Sequence, residues 1–189
     1  ERAEREQRSS SMVKKSDLLE DILRIASSVV SEKDLNKVSE MVLSSVSSLF
    51  GFERVTLVTY DEGAAAFRWT ALFGYPEDSV RNAKLRTIPT EVVLEDLRES
   101  KRIAKTVYFT PMEDTPRRNL EYFVSPAEVE SAPPHGPRAR GEFREGDTLA
   151  FALHDSSGRV VGVIYTSQPK DGKVPDRETL DMVEVFTYL

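Results

Sequence analysis

DTLAFALHDSSGRVVGVIYTS, residues 147–167, holds two nearly continuous apolar runs on either side of a turn signal. Residues 147–155 and 159–167 read as strands, and Ser156-Ser157-Gly158 between them predicts a β-hairpin. Alternation puts Leu149, Phe151 and Leu153 on one face of the first run and Ala150 and Ala152 on the other. With apolar or small groups on both faces, such a strand is covered from both sides.

The rest of the chain supplies the covers. Downstream, after Lys170-Asp171-Gly172, Asp176 caps a last helix whose Met182, Val183, Phe186 and Leu189 face inward. Upstream, residues 110–146 hold six of the chain's ten Pro and no sustained periodicity, which reads as one long irregular excursion with a helical turn near 119–123. Residues 102–109 alternate as a single strand, with Ile103, Lys105, Val107 and Phe109 against Ala104, Thr106 and Tyr108. A short helix runs from Thr90 through Val93, Leu94 and Leu97 to near Ser100, and another short helix falls within 77–88 after the break at Gly74-Tyr75-Pro76.

A second hairpin precedes these. Residues 54–61 and 65–73 flank the turn Asp61-Glu62-Gly63, with Phe67, Trp69, Ala71 and Phe73 expected on one face and Arg68, Thr70 and Leu72 on the other. Two helices open the domain. Leu18, Ile22, Ile25 and Val29 recur at helical spacing, flanked by Leu19, Leu23, Ala26 and Val30, so the first stripe is wide enough to meet two surfaces. Asp34 caps the second helix, whose stripe is Leu35, Val38, Val42, Val46 and Leu49, and Gly51 ends it in a left-handed conformation. Residues 1–15 are almost wholly polar and read as a linker or a coiled-coil tail, leaving residues 16–189 as one domain. The expected architecture is α+β: an antiparallel sheet with the terminal helices on one face, and short helices plus the long loop on the other.

Composition removes several classes of chemistry. With no Cys among 189 residues there is no disulfide framework, thiolate nucleophile, zinc finger, iron–sulfur cluster or thioether-linked chromophore. No apolar run approaches the ~18–20 residues that cross a bilayer, which predicts a cytoplasmic segment without membrane contact. The balance of 26 basic against 32 acidic residues, net −6, disfavours nucleic acid. Arg138, Arg140 and Arg144 stand beside Glu142 and Glu145, which reads as a solvated loop. No nucleotide-binding, hydrolase or metalloprotease motif is present, so no catalytic residues and no metal ligands are named.

The order of elements, with particular phrases, resembles the GAF domain family and the related PAS sheet architecture. Residues 143–189 are similar to the family's closing unit: a strand, a D-x-x-G turn at 155–158, a Gly-Val-Ile strand at 162–164, a Pro-containing segment and a final helix. Residues 18–62 resemble its first two helices and first strand. Two positions depart: the family's frequent Pro-Leu is Ala152-Leu153, and Ser167 stands where an acidic residue or Asn is frequent.

The resemblance implies a sensory module of a signal-transduction protein, such as a two-component system. It would bind a small molecule opposite the terminal helices and signal through them to adjoining domains. The alternative it implies is a ligand-free homodimerisation module of a histidine kinase, diguanylate cyclase or transcription regulator. Methionine sulfoxide reductase activity, known in the family, needs cysteines the chain lacks. Noncovalent haem is left open only through His135, in a Pro-rich stretch, or His154, at a strand end, and no cofactor is assigned. Aromatics with polar tips near the sheet and loop make the candidate pocket lining: Trp69, Phe73, Tyr108, Tyr122, Phe151 and Tyr165, with Arg68 and Arg102 offering a fixed positive group to an anionic ligand.

Overall fold

The computed structural model describes residues 17–28, 31–114, 121–122, 124 and 136–188, with backbone alone at Phe186 and Tyr188. Expectations for residues 1–15, Val29, Val30, His135 and Leu189, for the Phe186 side chain, and for most of the turn near 119–123 lie outside the described residues.

Helices α1 (residues 17–28) and α2 (Leu35–Phe50) lead into β1 (Phe52–Asp61) and β2 (Ala66–Phe73). Asp34 caps α2 by accepting from the Asn36 N–H, and Gly51, at φ 73°, closes it as expected. Next come α3 (Glu77–Lys84), β3 (Thr87–Pro89), α4 (Thr90–Glu99), β4 (Lys101–Arg102) and β5 (Val107–Thr110). The strands β6 (Thr148–His154) and β7 (Val160–Pro169) and the helix α5 (Arg177–Glu184), capped by Asp176, complete the chain. Every pairing is antiparallel, in the order β3-β2-β1-β7-β6-β5-β4.

Each face of the sheet carries its own core. Ile22 of α1, Val42, Leu43 and Val46 of α2, and Leu180 and Val183 of α5 pack on Val55, Leu57, Val107, Leu149, Phe151 and Ile164. The terminal helices therefore share one face. On the other face Ala83 of α3, Ile88 of β3, and Val93 and Leu97 of α4 cover Val58, Phe67, Trp69, Ala150, Ala152 and Val163. The α+β layering expected from the alternation of residues 147–167 is what the chain builds.

Two strands differ from expectation. In β2, Leu57 pairs with Ala71 but Val58 pairs with Trp69, so Thr70 is an extra, bulged residue. The bulge reverses the alternation: Phe67, Trp69 and Leu72 belong to the α4 side, while Ala71 joins the core beneath the terminal helices. Residues 102–109 are not one strand, because β4 and β5 are separated by a turn in which the Ile103 and Ala104 N–H groups both donate to Val107 O. A continuous strand would carry the Lys105 ammonium onto the face of buried Val107 and Phe109; the turn leaves Lys105 exposed.

The ends of the Pro-rich excursion are clasped rather than solvated. Asp147, fully buried, accepts from Met112 N–H (2.8 Å), Arg144 N–H (2.7 Å) and both terminal nitrogens of Arg138 (2.6 and 2.9 Å). Buried Arg144 pairs with Glu142 at 2.9 Å and Glu113 at 3.3 Å, and only Arg140 and Glu145 of that cluster are exposed. The excursion thus leaves and rejoins the sheet at one fixed point.

Candidate functional site

The site follows from which side chains the sheet presents beneath α4. Thr56 on β1 pairs with Leu72 on one side and Tyr165 on the other; Tyr165 pairs with Ala150, and Ala150 with Tyr108. The neighbouring row on that face runs Trp69, Val58, Val163, Ala152. Strand β6 thus offers Ala150 and Ala152 to this face, where its other face offers Leu149, Phe151 and Leu153. Tyr108 and Tyr165 stand on either side of Ala150, so the floor is low where its flanks are tall.

Helix α4 crosses above this floor. At its start the Thr90 hydroxyl donates to Ala65 O beside β2 (3.1 Å), and just past its end Ser100 Oγ bonds Thr110 Oγ1 of β5. Val93, Asp96, Leu97 and Ser100 recur at helical spacing, which sets all four on the underside. Asp96 accordingly hangs over β7, where Oδ2 lies 3.4 Å from the Tyr165 hydroxyl, which donates. Burial pushes its carboxyl up from the ordinary 3.8 to about 6; the Tyr165 hydrogen bond opposes this and the like charge of Glu99 adds to it. The same burial, with the Asp96 charge beside it, raises Tyr165 well above the usual phenol range.

Two polar atoms on this face are buried without a partner. Thr56, 2% exposed, and Trp69, 8% exposed, have no hydrogen-bond partner for Oγ1 and Nε1 among the described residues. A buried donor or acceptor left unmade costs about 1–3 kcal/mol, so such groups call for an explanation. Thr166 Oγ1 is in the same condition on the opposite face, opposite Val55 and Leu149; nothing in the structure explains it.

The structure brings together four of the eight aromatics and arginines picked from the sequence as lining. Trp69, Tyr108, Tyr122 and Tyr165 all belong to the cluster beneath α4. Phe151 does not: alternation aims it into the core under the terminal helices, fully buried. Phe73 lies at the outer end of β2, 39% exposed, beyond the bulge that shifts it out of phase with Trp69. Arg68 is exposed and ion-paired with Asp61 at the hairpin tip. Arg102 folds onto its own turn, donating to Ala104 O (3.2 Å) and Lys105 O (3.0 Å). His154 ends β6 and is exposed.

Sequence reasoning passed over Thr56, Asp96, Ala150 and Ala152 as site residues. The signals were present: an Ala-x-Ala face opposed to a Leu-x-Phe-x-Leu face, and an acid within the apolar stripe of α4. Among the described residues no group of three His, Cys, Asp or Glu side chains is placed to hold a metal ion.

A scan against models of known protein families finds no match, and a search of curated proteins finds none. Solved structures do match. The chain is similar to the GAF domain of an Acinetobacter phosphoenolpyruvate-protein phosphotransferase, 12% identical over 89% of this chain and 87% of that one, with a TM-score of 0.58. It is also similar to residues 122 to 287 of a methyl-accepting chemotaxis protein (16% identity, 87% and 89% of the two chains, TM-score 0.55). The A. aeolicus nlh2 GAF domain in an inactive state is a third (14%, 93% and 92%, TM-score 0.53). The fold is that of the GAF domains.

Proposed function

We propose that the chain is a sensory module of a signalling protein, regulatory rather than catalytic, that binds a small molecule on the sheet face beneath α4 and reports its presence through the terminal helices. The observation that carries this reading is a pair of buried polar atoms, Thr56 Oγ1 and Trp69 Nε1, without a partner among the described residues, on the face whose floor is Ala150 and Ala152. A pocket that is mostly apolar, with a few convergent polar groups, is the usual make-up of a small-molecule site.

The route outward is short. Ala152 N–H on the floor donates to Thr106 O (2.9 Å), and the Thr106 N–H and hydroxyl both donate to the Glu184 carboxylate at the end of α5. Arg177, at the other end of α5, donates to Ile103 O of the same turn (3.2 Å). A ligand that shifts β6 therefore moves the turn that holds α5 at both ends, which is the kind of packed, hydrogen-bonded linkage that conveys a two-state change.

The test is a thermal-shift screen of the chain against metabolites, nucleotides and tetrapyrroles. A ligand at 100 times its dissociation constant stabilises by about 2.7 kcal/mol, roughly 5–10 °C for a domain of this size. No saturable shift across the panel overturns the binding reading.

The second reading, homodimerisation, is favoured by α1: Leu19 and Leu23, one turn apart, are 53% and 60% exposed on a helix whose opposite side packs on the sheet. The dimer would be seamed along the terminal helices. A species that stays monomeric in sedimentation at high concentration contradicts it. The cytoplasmic placement belongs to the same proposal; among the described residues no helix is long and apolar enough to cross a membrane.

A further inference from the structure

We infer that the small molecule bound beneath α4 is an organic amine, its ammonium group held by the carboxylate of Asp96 between the rings of Tyr165 and Tyr108. This rests on the binding reading above and adds the chemical class of the ligand.

Among the described residues, the Asp96 carboxylate is poorly satisfied. An ionised carboxylate has about four lone-pair sites to satisfy. Asp96 is half-buried, and among the described residues the hydrogen bond to its carboxylate is that of the Tyr165 hydroxyl, long at 3.4 Å. Among the described residues, the charge felt there is that of Glu99, of the same sign, one turn further along α4. A desolvated acid in such surroundings attracts a positive partner with several donors, which is what an ammonium group supplies.

The neighbouring groups agree with this choice. Two tyrosine rings flank Ala150, and aromatic faces attract cations when both are withdrawn from water. An anionic ligand would meet Asp96 with like charge. The Trp69 indole N–H is a donor only, so it asks for an acceptor on the ligand's body, and the Thr56 hydroxyl serves either role. The ligand class is thus an amine that also carries an oxygen acceptor, on a scaffold small enough to sit above two alanine methyls.

Trp69 is the chain's single tryptophan, so its fluorescence reports the site directly. Tyramine and ethanolamine, both primary ammonium ions that carry an oxygen, are titrated against 3-(4-hydroxyphenyl)propionate, which keeps the shape of tyramine and inverts its charge. The expected result is a saturable change in Trp69 emission with the amines, none with the acid, and weakening by about 10- to 100-fold in Asp96→Asn. Thr56→Val, which leaves the carboxylate in place, should weaken ethanolamine or tyramine by less than Asp96→Asn does.

Equal binding of the propionate, undiminished amine binding by Asp96→Asn, or no response to either amine overturns the proposal. Failure here is distinguishable from failure of the broader reading. Another class of metabolite that stabilises the chain and perturbs Trp69 sinks the amine alone, whereas silence from the whole panel sinks both.

Discussion

Asp96→Asn should stabilise the unliganded protein near neutral pH and do nothing for it in acid. The carboxyl titrates near 6 in the folded chain against an ordinary 3.8, so the folded state holds its proton more tightly than the unfolded state does. Above about pH 6 the ionised group penalises folding, and the penalty fades as pH falls through that value and is gone below about 4. At 1.36 kcal/mol per pH unit the gap is worth about 3 kcal/mol, an upper bound because Asp96 retains some contact with water. Asparagine removes the charge and still offers an oxygen to the Tyr165 hydroxyl. Urea unfolding followed by Trp69 emission, at steps from about pH 4 to pH 8, should give a variant more stable by about 1–3 kcal/mol at the alkaline end. The two curves should converge in acid. Groups that titrate alike in both proteins cancel in the difference. A variant that is less stable near pH 8, or equally offset at both ends, refutes the reasoning. An acid kept at such a cost is what a functional site leads one to expect.

Other substitutions probe the remaining parts. Thr56→Val and Thr166→Val should each stabilise by about 1 kcal/mol in denaturant melts, since each removes a buried hydroxyl without a partner among the described residues; only the first should impair ligand binding. Asp147→Ala should cost about 3–5 kcal/mol in the same melts, because it leaves Arg138 and Arg144 with a broken clasp around a buried position. Gly74→Ala should cost about 2 kcal/mol or more: at φ 82° a Cβ would come within 1.9 Å of Glu53 O, a contact that backbone must move to relieve. Glu184→Gln should leave ligand affinity nearly unchanged while uncoupling it from hydrogen exchange in α5, because it weakens the bonds to Thr106.

Much of the fold was legible because period and punctuation carry it. The β6–β7 hairpin, the caps Asp34 and Asp176, and the left-handed Gly51 stand where local chemistry put them. What was hidden depended on neighbours distant in sequence. The bulge at Thr70 follows from registration of β2 against β1, and it reverses the facing of residues that simple alternation placed together. The β4–β5 turn was masked by an alternation that continues through it, and the clasp around Asp147 joins Met112 to residues 138–147. At the site, aromatic residues drew the reading toward Phe151 and Phe73, whereas the face is defined as much by its smallest members, Ala150 and Ala152, and by an acid on a helix that crosses it.

The sensory role proposed for this chain requires that occupancy happens on the α4 side of the sheet. A two-dimensional NMR titration of the labelled chain with whatever compound raises its melting temperature tests this most directly. Early, saturable shifts should appear at the Trp69 indole N–H, the Ala150 and Ala152 methyls, Thr56 and Tyr165, with α5 responding at the same ligand concentration. Shifts confined to the core under the terminal helices, around Val46, Phe151 and Val183, or to the exposed side of α1, would contradict it.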